Sequence, residues 1–333
     1  MSQGLSMNDQ NGFRLYAGDG TTIAARNMIL PPFKRSVALD DPRFYLADPP
    51  LRDAVNVALA LGLPLLVTGE PGTGKTQLAA SVAHEMGLEE PFVFHAKTTS
   101  VARDLFYRYD ALRRFHDSQF RKEESIAARY IAYSALGLAI LLSLTPDAAD
   151  AELPEGLRGR GPRRSVVLID EIDKAPRDLP NDILSEIEAM SFTVEETGQT
   201  FSADQSYRPI LILTSNSEKN LPDAFLRRCA FYHIPFPARE RLRTIVERRF
   251  GGGSYFTSRM VENAIRHFEE IRSLPLKKKP ATAEFLEWLR VLEAIELDPS
   301  NPKDGQIEAL AFTYSVLLKN KEDLGLVSKN LKK

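Results

Sequence analysis

The chain has one cysteine, Cys229, among its 333 residues. No internal disulfide can form, and the composition fits a reducing, cytoplasmic compartment. Charge of one sign is lacking too: 43 Lys and Arg stand against 45 Asp and Glu. That balance supplies no global attraction to nucleic acid. The histidines His84, His95, His116, His233 and His267 are scattered without the spacing of a metal centre. No G-x-S-x-G or related triad signature occurs, and no internal repeat is visible. Long apolar runs are missing as well. Tyr130 to Leu144 holds about 15 uncharged residues between Arg129 and Asp147, whereas a bilayer span needs about 20. It reads as a buried helix, so no membrane association is expected. Residues 1–12 are polar, rich in Asn, Gln and Ser, and read as disordered and not as a secretory signal.

What is present is concentrated in Leu65-Leu66-Val67-Thr68-Gly69-Glu70-Pro71-Gly72-Thr73-Gly74-Lys75-Thr76. An apolar run enters G-x-x-x-x-G-K-T and passes directly into a helical pattern, the context a phosphate-binding loop requires. Glycines let successive backbone N–H groups turn toward an anion. Lys75 is expected to reach the β- and γ-phosphates of a nucleoside triphosphate, and the Thr76 hydroxyl to ligate Mg²⁺.

Downstream, strand and helix patterns alternate, which predicts a parallel sheet covered by helices. Leu78, Ala79, Val82, Ala83 and Met86 share one face of a helix over Lys75–Met86, stopped by Gly87. Phe92–Ala96, Val166–Ile169 and Ile210–Leu213 are continuous apolar runs suited to strands buried on both faces. A long helical region is expected over Val101–Leu144, with a break near His116–Ser118. Thr145–Arg164, rich in Pro, Gly and charge, reads as an exposed loop. Phe192–Ala203 turns at Glu196-Thr197-Gly198-Gln199 and reads as a hairpin. Beyond Pro235-Phe236-Pro237 no strand pattern remains, and helices are expected at about 239–250, 257–273, 282–296 and 304–320.

Asp170 and Glu171 end the apolar strand that begins at Val166. The carboxyl end of such a strand is where ligands sit in open α/β sheets. Asp170 can hold the Mg²⁺ shell, and Glu171 can orient and polarise an attacking water. Asn216 ends the strand before it, Leu213-Thr214-Ser215, where an amide can help position that water; Asn and Ser also end strands simply as turn formers. Arg227 and Arg228 close a short helical segment. They read either as arginines that stabilise a γ-phosphate from outside their own site or as partners of a helix C-terminus.

This motif order, followed by an all-helical end, resembles an AAA+ ATPase. Within that superfamily it is most similar to the MoxR-like group, on Gly69–Thr76, on Asp170-Glu171-Ile172-Asp173-Lys174-Ala175 and on the hairpin-like segment Phe192–Arg208. The resemblance covers roughly residues 35–320. It implies an α/β P-loop NTPase fold, a parallel sheet sandwiched by helices and followed by a small all-α lid. The domains would then be an N-terminal segment at 1–34, a nucleotide-binding domain at 35–236 with a helical insert at about 98–164, and a lid at 237–333.

The resemblance further implies that ATP and Mg²⁺ are the cofactors. Gly69, Glu70, Pro71, Gly72, Thr73, Gly74, Lys75, Thr76 and Gln77 would bind the nucleotide, with Thr76 and Asp170 at the metal. Glu171 would activate water, Asn216 would be sensor 1, and Arg228, with Arg227 second, would be an arginine finger acting on a neighbouring subunit. Relatives form the adenine pocket where this chain has Phe44, Tyr45 and Leu46. Relatives also carry a sensor 2 arginine where this chain has Ala281; Lys279 is either a substitute cation or part of a solvated lysine loop. In the family the insert engages substrates or partners, against the plainer reading of an elaborated core helix pair.

The expected assembly is a ring homo-oligomer, a hexamer, which remodels a protein client. The family implies a partner with a von Willebrand factor A domain. Two other readings remain open. One is a nucleic-acid motor, favoured only by the arginines of Arg158–Arg164; the other is an ATP-gated scaffold.

Overall fold

The computed structural model describes residues 16, 18, 20, 41–120, 126–217, 221–250, 256–299 and 306–330. The disorder expected at residues 1–12 therefore lies outside the described residues. Two compact units result, Tyr45–Pro235 and Phe236–Lys333, the latter grouped with Met1–Phe44.

The first unit opens with helix α1 (Pro49–Leu61), whose start is set by Asp48 accepting a bond from the Leu51 N–H and by Pro49 in the first turn. Strand β1 (Leu65–Gly69) leads through the glycine loop into α2 (Lys75–Glu85). With β2 (Phe92–His95), β5 (Val166–Asp170), β8 (Ile210–Ser215) and β9 (Ala230–Ile234), β1 builds a five-stranded parallel sheet ordered β2-β5-β8-β1-β9.

Alternation along these strands sends side chains to two cores. Leu65, Val67, Val166, Leu168 and Ile212 pack with Leu51, Leu78 and Val82 of α1 and α2. Leu66, Val167, Ile169, Leu211 and Leu213 face the other way, onto Leu136, Ile140, Ile187 and Phe192. A sheet covered on both faces explains why its strands read as unbroken apolar runs.

The region expected to be helical over Val101–Leu144, with a break near His116–Ser118, is only partly so. It contains β3 (Tyr107–Tyr109), α3 (Ala111–Phe120), β4 (Ile131–Tyr133) and α4 (Ala135–Leu142). β3 and β4 pair antiparallel, Tyr107 opposite Tyr133. Alternating Tyr-Arg-Tyr suits a short strand better than a helix, and α3 continues through the break expected at His116–Ser118. The apolar helix shrinks to eight residues, seven of them buried. Phe106 stacks on Phe192 and the Tyr107 ring tilts against it, and both are buried core residues. Among the described residues no helix is long and apolar enough to cross a membrane.

The loop expected at Thr145–Arg164 also carries a short helix, α5 (Pro146–Ala149), and buries Ala149 and Leu153. Helices α6 (Leu179–Asp182) and α7 (Leu184–Ala189) precede the hairpin of β6 (Ser191–Val194) and β7 (Gln199–Ser202), which turns where its sequence predicts. A four-residue helix, α8 (Asp223–Leu226), then leads to β9, an edge strand that sequence patterning missed.

The second unit holds α9 (Arg239–Phe250), α10 (Ser258–Ser273), α11 (Thr282–Ala294), α12 (Gln306–Leu317) and α13 (Lys321–Asn330) among its described residues. Four helices were expected, and α13 is an addition. Phe268, Phe285, Trp288 and Leu289 form the middle of its core. The Trp288 indole N–H donates to Thr313 Oγ1 at 2.8 Å, which satisfies a buried polar atom that a wholly apolar site would leave orphaned.

Candidate functional site

Parallel pairing brings the ends of four strands to one sheet edge. β1 ends at Gly69, β2 at His95, β5 at Asp170 and β8 at Ser215, just before Asn216. The register sets His95 opposite Asp170 and Thr68 opposite Ser215. Residues scattered over about 150 positions of sequence thus meet along one crevice.

Gly69 has φ of 150°, and a Cβ there would stand 2.7 Å from the Ile234 carbonyl oxygen, so the chain can leave the sheet at this point only as glycine. The loop closes on itself as the Thr73 hydroxyl donates to Glu70 O at 2.8 Å. Lys75 is the first residue of α2 and is buried. Its ammonium donates to Gly69 O (2.8 Å), Glu70 O (3.0 Å) and Asn216 Oδ1 (3.0 Å), which uses all three protons. Burial lowers its pKa below the ordinary lysine value, while Asp173, Asp170 and Glu171 act in the opposite direction.

Asp170 Oδ1 accepts from Thr76 Oγ1 at 3.0 Å and from Thr214 Oγ1 at 2.6 Å. Glu171 follows in the left-handed region, φ 57°, and its N–H donates to Thr214 Oγ1 at 2.9 Å. A non-glycine residue held there costs about 1 kcal/mol or more, sustained by the surrounding contacts. Its carboxylate pairs with Lys174. The Asn216 N–H donates to Asp173 Oδ1 at 3.2 Å, which ties Asn216 to the same acidic turn.

The other candidates divide. A Cβ at Gly74 would stand 3.1 Å from Tyr45 Cε2, so the Tyr45 ring lies against the phosphate-binding loop. Phe44 and Leu46 are half-buried beside it in sequence. Gln77 lies in the first turn of α2. Pro71 and Gly72 are exposed at the loop tip.

Arg227 and Arg228 do not join this crevice. They precede Ala230, which pairs with Leu65 at the opposite end of β1 from Gly69. Five strand residues span roughly 16 Å at about 3.3 Å each. Arg228 Nε pairs with Glu188 of α7, and its Nη1 donates to Ala224 O at 3.0 Å. Arg227 and Arg228 line a cavity of about 600 Å³ at this far edge, with Arg164, Arg208 and Leu61. Burial lowers the pKa of Arg208, whose guanidinium donates to the carbonyls of Gly62, Ile187 and Glu188.

Ala281 is buried at the cap of α11, where its N–H donates to Glu284 Oε2 at 3.1 Å. It offers no cation. The lysine loop beside it is exposed, with the Lys277 and Lys278 N–H groups held by Asp323. The arginines of Arg158–Arg164 have partners inside the chain. Arg158 donates to Leu153 O, Arg160 and Arg163 face Glu89, and Arg164 donates to Ser206 O. Sequence reasoning set His95 aside as an isolated histidine, although its position at the end of an apolar strand was a usable signal.

A family model described as AAA domain (dynein-related subfamily) matches residues 64–229. Among solved structures, the Thermotoga maritima RuvB Holliday junction branch migration motor is 18% identical with a TM-score of 0.43, over 80% of this chain and 66% of that one. A singly substituted form of the same protein is 17% identical with a TM-score of 0.45, over 80% and 67%. The chain thus spans about two thirds of the length of these structures. No curated protein matches it.

Proposed function

We propose, from the premise that residues 64–229 carry an AAA domain on an AAA+ P-loop fold, that the chain is a MoxR-like ATPase. On this reading it works as a ring homo-oligomer, a hexamer, and remodels a partner protein, with a von Willebrand factor A domain protein as the partner the family implies. The residues fit the cofactor. Lys75 and the loop N–H groups would hold the triphosphate of ATP, while Thr76 and Asp170 present hydroxyl and carboxylate oxygens suited to Mg²⁺. When bound, the metal would supply the positive charge that offsets charge developing on the phosphate oxygens.

This chain's own residues do the rest. Glu171 takes the proton of the attacking water once its carboxylate leaves Lys174, and the Asn216 amide fixes that water beside Lys75. Arg228 meets the γ-phosphate of a neighbouring subunit. The single observation that supports the shared site is the position of Arg228 at the sheet edge opposite its own phosphate-binding loop. An arginine about a strand length away has no route to the nucleotide of its own chain.

Arg228→Ala should bind ATP and lose turnover, since arginine fingers contribute on the order of 10³–10⁵ in rate. Lys75→Ala should not bind ATP. Mixed, the two variants should regain activity, because a Lys75→Ala subunit still offers Arg228 to a neighbour with an intact loop. A confirmed mixed assembly no more active than the sum of its parts would defeat the reading. Arg227→Ala serves as the parallel control.

A further inference from the structure

At the sheet edge opposite the phosphate-binding loop, the cavity of about 600 Å³ is lined by four arginines and a single carboxylate. Arg228 is matched by that carboxylate, Glu188. Arg164, Arg208 and Arg227 are not. Arg164 donates to Ser206 O, and Arg208 donates to the carbonyls of Gly62, Ile187 and Glu188, so both meet only neutral acceptors. The Arg227 side chain has no hydrogen bond or ion pair among the described residues. Three positive charges in one concavity repel each other and draw in anions.

The rest of the lining is apolar where it meets solvent. Leu61 ends α1 and is 66% exposed, and Leu63, just before β1, is 38% exposed. The end of α1 would by itself repel an anion, because unpaired helix carbonyls gather there. Arg208 covers that end, with its Nε donating to Gly62 O at 3.3 Å. The volume lies within the range of about 300–1,000 Å³ that holds small organic ligands on apolar walls with a few convergent polar groups.

We infer that this cavity is a second ligand site, which binds a small phosphate monoester with an apolar body. Its phosphate meets Arg164, Arg208 and Arg227, and its body lies on Leu61 and Leu63. The charge decides the head group: a carboxylate brings one negative charge to a surplus of three, whereas a phosphate monoester brings about −1.5 to −2 at neutral pH. Guanidinium forks also match phosphate oxygens in pairs. The exposed leucines decide the body, since inorganic phosphate would leave them in water. The site is separate from the phosphate-binding loop at the other end of β1 and does not depend on the nucleotide reading.

Isothermal titration calorimetry on the full chain tests this with 1-naphthyl phosphate, which joins a phosphate to an apolar body, against 1-naphthol and inorganic phosphate. The ester should bind one to one, in the parent and equally in Lys75→Ala, whose phosphate-binding loop is disabled. Naphthol and inorganic phosphate should each bind at least about tenfold more weakly. Arg164→Gln and Arg227→Gln should each weaken the ester about tenfold or more, the effect of losing a hydrogen bond to a charged group. Arg227 holds no other described residue, so its replacement tests the site without disturbing the fold. No binding by the parent overturns the inference, as does an affinity unchanged in both arginine variants. Naphthol or inorganic phosphate binding as tightly as the ester overturns it too. Ester binding lost in Lys75→Ala would place the probe in the phosphate-binding loop, which overturns this site and leaves the nucleotide reading standing.

Discussion

Gly137→Ala and Gly325→Ala are the same chemical change in two helices, and the structure assigns them opposite signs. Gly137 lies in α4, where a Cβ would stand 2.0 Å from the Phe106 carbonyl oxygen and 2.8 Å from the Phe106 carbonyl carbon. That oxygen is itself fixed, since it accepts the Ser134 N–H at 2.8 Å. Restoring an ordinary contact of about 3.4 Å requires roughly 1.4 Å of movement in a close-packed core. Leu136, Ala139, Ile140 and Leu141 around it have no exposed surface to give way into. Overpacking of this kind costs about 3 kcal/mol at the upper end of its range, or more. The helix preference of alanine returns about 1 kcal/mol.

The net loss of about 2 kcal/mol corresponds to a fall in Tm of about 4–8 °C for a unit of this size. At Gly325 in α13 nothing lies within 4 Å of an added Cβ, so only the helix term remains and stability should rise by up to about 1 kcal/mol. Scanning calorimetry on parent and both variants measures the signs. A Gly137→Ala protein melting at or above the parent temperature would refute the packing argument, because backbone propensity would then have outweighed the clash.

Glu171→Gln should bind ATP as the parent does and turn it over on the order of 10²-fold more slowly, because the amide keeps the shape and loses the base; equal turnover would remove Glu171 from the chemistry. Glu188→Gln should leave Tm unchanged, as an exposed ion pair contributes about 0–1 kcal/mol, and should raise steady-state ATPase by releasing Arg228. Unaltered turnover there would show that the pair does not restrain the arginine. His267 is half-buried against Trp288 and Tyr314, and its desolvation there holds its pKa below the ordinary 6.5. The unfolded chain therefore binds more protons than the folded one below that pH, and stability present above it is lost as pH falls through the folded pKa. Urea midpoints of parent and His267→Gln from pH 7 to 5 should show this slope in the parent and a weaker one in the variant.

Sequence alone determined the parts of this protein whose physics is local. The phosphate-binding loop needs glycines, a lysine and a threonine at fixed offsets, and all lie within Gly69–Thr76. The three inner strands declared themselves as apolar runs because both faces of the sheet are covered, and the β6–β7 hairpin because Gly198 takes the positive φ its turn requires. Tertiary structure decided everything that depends on which segments pair. β9 alternates, exposing Phe231 and His233, and becomes a strand only through its register with β1. β3 and β4 are three residues each and stand only because they pair across more than twenty positions. His95 looked isolated until β2 lay beside β5, and Arg228 could be separated from its own loop only once both ends of β1 were known. Loop closure and strand pairing are long-range terms, and no window of neighbouring residues contains them.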